Sequence, residues 1–368
     1  MTKVVKHRIL FVLGSGIYPY RIGGMEIFNY YLIESLSDKF QISYFGNRPI
    51  NDERTKLVKS YGLKPRKILL PLQLFLYCLF HRDDIIVFSY SSAPWIEWYL
   101  YSIIVRILHL DSIAVIHYGN TTPQNHKRQH KSFFSVQKKV IAVSEDIKRN
   151  YDKEYQLDCK VIYPLVPFKE TSVSKENLRK KYNVPADANV ICMVGSLKKM
   201  KNPDTLLKAV AGFSKEQLER YRPFIVFAGD GNMREELAAI AKENNIEDRV
   251  RFFGTIPKET VNEVFALSDI YLIASDFEGT SVSLLEAMFN KMPIIISRAP
   301  GLVDMIADGI DGLSYETVNC SDLKKCILRY LDDDSLRRRL SDSAYEKYRI
   351  KYSYDDMVST YSALFLNL

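Results

Sequence analysis

The sequence predicts an α/β protein of two domains, each a parallel β-sheet covered by helices on both faces. Apolar runs rich in Val, Ile and Phe recur along the chain with helical segments between them. Such continuous runs, without strict alternation, mark strands buried on both faces of a parallel sheet. The runs fall into two sets separated by Tyr163-Pro164-Leu165-Val166-Pro167, where two prolines interrupt the pattern. A length of 368 residues is long for one core and comfortable for two. The first set comprises 9–13, 42–45, 85–89, 113–116 and 140–143; the second comprises 190–194, 224–228, 250–253, 270–273 and 294–296. The boundaries read as a first domain over 1–168, a second over 169–345, and a terminal helical segment over 346–368.

The chain opens with Lys3, Lys6 and Arg8 followed by an apolar run at 9–13. The run is too short for a signal peptide, and Tyr18-Pro19-Tyr20-Arg21 follows in place of a small-residue cleavage site, so it reads as a first strand. No apolar segment reaches about 18 residues, and no spanning helix is expected. Cys78, Cys159, Cys192, Cys320 and Cys326 show no C-x-x-C spacing and read as free thiols of a reducing cytoplasm. Charge is uneven. Residues 1–170 carry 24 Lys and Arg against 15 Asp and Glu, whereas the remainder carries 27 against 29. The excess of positive charge therefore belongs to the first half, which points to an anionic partner.

The first strand leads into Gly14-Ser15-Gly16 and then Gly23-Gly24-Met25-Glu26, before a helix with Ile27, Tyr30, Tyr31, Ile33 and Leu36 on its apolar side. Glycines at such a turn let backbone approach a phosphate, although the spacing is not G-x-G-x-x-G and a plain loop fits equally well. The segment from Lys56 to Arg82 joins Lys56, Lys59, Lys64, Arg66 and Lys67 to a run of Leu and Phe over 68–80. Trp95, Trp98, Tyr99 and Tyr101 form a second cluster. His126-Lys127-Arg128-Gln129-His130-Lys131 precedes Phe133-Phe134. Basic groups beside apolar and aromatic ones suit an anionic membrane surface, or else the apolar parts are core helices. No nucleic-acid motif accompanies them, so no nucleic acid partner is expected. His117 follows the strand at 113–116, where ligands of open α/β sheets bind.

In the second half, Gly195-Ser196-Leu197-Lys198-Lys199-Met200-Lys201-Asn202 follows a strand as a basic loop. The strand ends near Gly229 and Gly254 are each followed by a turn. Ser174 opens a capped helix. Glu278-Gly279-Thr280-Ser281-Val282-Ser283-Leu284-Leu285-Glu286 places one carboxylate beyond a strand and a second in the following helix. Between them the helix N-terminus offers N–H groups and partial positive charge, an anion site. Two carboxylates flanking an anion site suit a nucleotide-sugar, with hydroxyls on both sides of its phosphates. Asp332-Asp333-Asp334 imitates a metal triplet but reads as a surface helix end, because no strand precedes it.

This segment resembles the E-x7-E signature of retaining glycosyltransferases with the GT-B fold, of the family 4 type. The resemblance runs from Ile9 to about Tyr361 and is strongest between Val190 and Leu313. It implies two Rossmann-like domains facing across a cleft, the first binding an acceptor and the second a nucleoside diphosphate sugar. The last helix is implied to cross back to the first domain. Gly23 and Gly24 would face the donor diphosphate, and His117 would support the transferred sugar by hydrogen bonding. Lys201 matches the family lysine that grips the diphosphate, whereas Ser196 stands where arginine is usual. Backbone around Ile256 would read the base. Glu278 would bind sugar hydroxyls, with Gly279, Thr280, Ser281 and Val282 beside the donor, and Glu286 the ribose hydroxyls. His117, Lys201 and Glu278 are thus the implied catalytic set. No metal or other cofactor is implied. The acceptor would be a glycan or lipid-linked glycan, with the protein peripheral at the inner face of the cell membrane. The alternatives are a catalytically weak relative serving as a membrane-associated partner subunit, to which Ser196 lends support, and a sugar-nucleotide epimerase of the same fold.

Overall fold

A computed structural model describes residues 7–13, 24–46, 55–59, 66–82, 84–90, 95–117 and 126–368. The chain forms two compact units, Met1–Pro167 joined by Tyr352–Leu368, and Phe168–Lys351.

In the first unit the described strands are β1 (Arg8–Leu13), β2 (Gln41–Gly46), β3 (Thr55–Lys59), β4 (Ile85–Tyr90), β5 (Ser112–Ile116), β6 (Lys139–Ala142) and β7 (Lys160–Val161). They pair in the order β3-β2-β1-β4-β5-β6-β7, every pair parallel. The central strands consist almost wholly of Ile, Val, Leu and Phe because both faces are covered; Ile9 lies between Ile42 and Ile85 in register, and both neighbours are buried. Helices α1 (Gly24–Leu36), α2 (Arg66–Phe80), α3 (Trp95–Leu108), α4 (Lys127–Ser135) and α5 (Glu145–Tyr155) lie between the strands in sequence. Lys56 and Lys59, read as part of a basic run, fall in the edge strand β3.

The second unit begins with α6 (Lys175–Lys181), capped by Ser174, whose Oγ accepts from Asn177 N at 3.3 Å. Then follow β8 (Asn189–Val194), α7 (Asp204–Ala211), α8 (Lys215–Tyr221), β9 (Pro223–Ala228), α9 (Arg234–Glu243), β10 (Val250–Gly254), α10 (Val261–Leu267), β11 (Ile270–Ile273), α11 (Val282–Phe289), β12 (Ile294–Ser297), β13 (Leu313–Tyr315), α12 (Cys320–Asp332) and α13 (Asp334–Lys351). The strands pair in the order β10-β9-β8-β11-β12-β13, again all parallel. Asp332 ends α12, and Asp333 caps α13 by accepting from Leu336 N at 2.9 Å.

The chain then returns to the first unit. α14 (Tyr354–Leu366) puts Tyr361, Leu364 and Phe365 into the first core, where Phe365 meets Phe40 at 5.9 Å and Tyr361 meets Phe28 at 5.9 Å. The Tyr361 hydroxyl donates to Ile162 O at 3.3 Å. α13 runs on past residue 345 to Lys351, so the segment that joins the first unit is Tyr352–Leu368.

Candidate active site

In both sheets the strand order reverses once, between β1 and β4 and between β8 and β11. Crevices for ligands in doubly wound sheets lie beyond the carboxyl ends of the strands at such a reversal. In the second unit the loops after β8 and β11 are stitched together there. Asn202 adopts a left-handed conformation, φ 44°, which asparagine tolerates better than most residues. Its buried amide donates to Ala274 O at 3.1 Å and to Asp276 Oδ1 at 2.5 Å, while Asp276 N donates to Met200 O at 2.9 Å. These bonds carry the short 3-10 turn Lys199–Lys201 against the loop that follows β11. As a result the Lys201 ammonium donates to Glu278 Oε1.

Glu278 is fixed from behind as well. Ser275 Oγ donates to the same Oε1 at 2.7 Å, and Ser297 Oγ holds Ser275 O at 2.7 Å. Glu278 N donates to Pro300 O at 3.1 Å. Gly301 follows with φ 83°, and a Cβ there would fall 1.9 Å from the Glu278 carbonyl oxygen, so no other residue fits without moving that loop. Gly229 plays the same part on the other side of β8: a Cβ on it would lie 1.9 Å from Gly195 O.

Ser281 caps α11, its Oγ accepting from Leu284 N at 3.3 Å. Val282 begins the helix, and Gly279 and Thr280 fill the approach, all three half-buried. Glu286 lies just over one turn in and is buried, its carboxylate accepting from the Lys258 ammonium. Burial pushes the Glu286 carboxyl above its ordinary value, and the charge and hydrogen bond of Lys258 oppose that rise. Lys258 was not singled out in the sequence. It is 28 residues away from Glu286 in a 3-10 turn, Lys258–Thr260, with no spacing to announce the pair. Ser275, Asn202 and Gly301 likewise carried no motif.

Ser196 is half-buried on the loop after β8. Of its neighbours, Lys198 is exposed, and Lys199 lies 3.9 Å from Asp204. Ile256 is half-buried between β10 and the Lys258 turn. In the first unit, Gly24 is the exposed first residue of α1; Gly23 lies outside the described residues. His117 stands one residue past β5, its N–H donating to Tyr90 O at 3.2 Å and its ring edge-on to Phe28 at 4.8 Å. The residue is half-buried, but its Nε2 is shut from solvent with no hydrogen-bond partner among the described residues, and burial pushes the imidazole down to about 3. It is therefore neutral at physiological pH, able to hydrogen-bond but carrying no charge.

The aromatic cluster proposed for a membrane splits in two. Trp98 and Tyr101 are core residues, packed with Phe88, Tyr90 and Phe133, because α3 turns that face to the sheet. Phe133 and Phe134 are core as well. What remains outside is one face of α2, with Leu72, Leu76 and Phe80 exposed at four-residue intervals, the last by 84%, together with Ile96, Tyr99 and Ile107 of α3. No helix among the described residues is long and apolar enough to cross a membrane.

The two doubly wound parallel units, with the helical tail returning to the first, form the GT-B fold of glycosyltransferases. Residues 174–347, almost the whole second unit, match the family model described as glycosyl transferases group 1. An uncharacterized glycosyltransferase of Methanocaldococcus jannaschii is 26% identical over 226 residues, covering 59% of this chain and 57% of the relative. A D-inositol 3-phosphate glycosyltransferase of Corynebacterium kroppenstedtii is 30% identical over 173 residues, 46% of this chain and 38% of the relative. The chain thus spans about half the length of the curated relatives it matches. Among solved structures, Anabaena HepE in complex with UDP and glucose superposes with a TM-score of 0.81 at 17% identity, covering 98% of this chain and all of that one.

Proposed function

We propose that the protein is a retaining glycosyltransferase that moves a sugar from a nucleoside diphosphate sugar to an acceptor hydroxyl. The observation that carries this reading is the joining of Lys201 to Glu278 at the carboxyl end of the β8/β11 reversal, beside the capped start of α11. A donor diphosphate placed there meets the Lys201 charge and the N–H groups of the α11 N-terminus, both fixed before the ligand arrives. On binding, the phosphate competes with Glu278 for Lys201, which frees the carboxylate to accept from sugar hydroxyls. Glu286 accepts from the ribose hydroxyls, and backbone around Ile256 meets the base.

As the bond between the anomeric carbon and the diphosphate oxygen breaks, charge grows on that oxygen, and Lys201 with the N–H groups stabilises it. No second carboxylate is assigned as a nucleophile in this reading. The acceptor oxygen bonds to the anomeric carbon on the face the diphosphate leaves, and its proton passes to the departing phosphate oxygen. Retention follows. The neutral His117 of the first unit is proposed as a hydrogen-bonding group for the acceptor. With Lys201 and helix N–H groups carrying this load, activity should survive a chelator.

The purified protein, incubated with a panel of UDP-, GDP- and ADP-sugars, should release nucleoside diphosphate, and the product anomer read by NMR should match the donor. Epimer formation without release would overturn the transfer reading, and neither product would favour the partner-subunit role.

The acceptor we propose is a lipid-linked glycan at an anionic membrane surface. The basic excess of residues 1–170 and the exposed Leu72, Leu76 and Phe80 support it. Each basic residue near an anionic bilayer contributes about 1 kcal/mol, screened by salt. Co-sedimentation with anionic liposomes should exceed that with neutral ones, fall as salt rises, and weaken in Phe80→Asp while nucleotide affinity holds. Equal recovery with both liposomes would reject the membrane acceptor.

A further inference from the structure

Glu286 sits inside α11 with its carboxylate away from solvent. Removed from water, a carboxyl tends to keep its proton, and a protonated carboxyl is a poor acceptor for a pair of hydroxyls. Lys258 is placed to counter this. Its side chain is only 10% exposed beside Glu286, and its ammonium donates to Oε1. The turn that carries it is closed by Thr260 N donating to Pro257 O at 3.0 Å. The ammonium also lies 5.0 Å from the centre of the Phe168 ring. Phe168 in turn packs on Phe289 of α11 at 5.6 Å and on Tyr348 of α13 at 5.9 Å. Lys258 is thus held between the helix that bears Glu286 and an aromatic wall.

Among the described residues, the other groups near this carboxylate supply no positive charge to it. Tyr271 of β11 is a buried phenol bonded to Ser283 Oγ at 2.8 Å, and burial raises it, so it stays neutral. Tyr348 of α13 reaches α11 through Phe289. Glu278 is engaged by Lys201 and Ser275.

We propose that Lys258 is a positioning residue for the donor nucleotide: it keeps Glu286 ionised inside α11 and occupies Oε1, so that Oε2 is presented to the ribose hydroxyls. This rests on the reading of Glu286 as the ribose acceptor. It adds a residue outside the E-x7-E pattern, and it makes nucleotide affinity depend on an internal cation.

The test is calorimetric titration of the full chain with whichever of UDP, GDP and ADP raises its melting temperature most, between pH 6 and pH 8.5. The wild type should show little change over that range. Lys258→Met should bind roughly tenfold more weakly at pH 6 and recover as pH rises, since each pH unit below a raised carboxyl value costs about tenfold in the ionised form. Lys258→Gln, which keeps a donor and the stem but no charge, should follow the same curve and serves if the methionine variant misfolds. Lys258→Arg should restore the flat profile. Glu286→Gln should bind weakly at every pH, and adding Lys258→Met to it should change nothing further. A flat profile near wild type for Lys258→Met, with Glu286→Gln still weak, would overturn the role of Lys258 alone. A uniform loss without pH dependence would show that the lysine only packs. Wild-type affinity in Glu286→Gln, or no binding of any of the three nucleotides, would overturn the ribose reading itself.

Discussion

The two sheets are wound in the same order, yet the histidine just past β5 in the first and the lysines past β8 and β10 in the second meet burial in opposite ways. At the end of β5 the first unit offers His117, kept neutral by burial and without a hydrogen-bond partner for Nε2 among the described residues. Beyond β8 and β11 the second unit offers two ion pairs, Lys201 with Glu278 and Lys258 with Glu286. Buried charge is costly unless paired, whereas a buried imidazole escapes the cost by giving up its proton. One end is therefore stocked with formal charge that a charged ligand can exchange for its own. Past β5 the other offers a neutral imidazole. The same topology serves both, because chemistry is set by the residues just past the strands.

The largest test of this contrast is to remove a charge from one end and a neutral donor from the other. Lys201→Ala should lower kcat/KM by about 10²–10³-fold, the usual effect of losing a fixed group that stabilises developing charge. His117→Asn should cost nearer 1 kcal/mol, roughly fivefold, as for one lost neutral hydrogen bond. Steady-state kinetics on both variants would decide it, and equal losses would erase the distinction. Next in size, Glu286→Ala should weaken nucleotide binding by about 1–3 kcal/mol in calorimetry. Glu278→Ala should lower kcat more than it weakens binding of the bare nucleotide.

Gly301→Ala asks whether geometry or charge governs the second end. It removes no charge, but it forces the Glu278 loop to move; a stability loss of about 1–3 kcal/mol in denaturant titration is expected, with reduced turnover. The smallest test concerns acid. His117 and His130 are held down to about 3 and about 4 by burial. Both folded values lie below that of free imidazole, so the unfolded chain takes up protons first as pH falls. Their stability contribution is full above about pH 6.5 and is lost progressively as pH drops toward 4 and 3. Hydrogen exchange at pH 5 should quicken first in β4, β5 and α4, and His130→Phe should lessen the effect.

Much of this was legible in the chain. Ten apolar runs lie on ten strands, because a parallel sheet covered on both faces leaves no room for polar alternation. β7 has two residues and β13 three, too few to display a period, and β3 was hidden by its lysines. Glu278 and Glu286 were found because their spacing is local, and Lys201 because its loop resembles the family's, although 77 residues separate it from Glu278. Lys258 reaches Glu286, and Asn202 reaches Ala274, only through tertiary folding, across 28 and 72 residues, whereas Ser275 lies three residues before Glu278 with no motif to mark it. Trp98 and Tyr101 misled because an aromatic residue reads alike whether its helix face turns inward or outward.

α14 gives the molecule an order of assembly. The core of the first unit takes Tyr361, Leu364 and Phe365 from residues beyond the second unit, so a nascent polypeptide on the ribosome would hold that core open while Phe168–Lys351, continuous in sequence, emerges complete. The half translated first is the half finished last. A chaperone that shields apolar surface during synthesis would find its longest-lived target around Phe28, Leu36 and Phe40, and a premature stop just short of the last helix would leave the second unit folded beside an unfinished first.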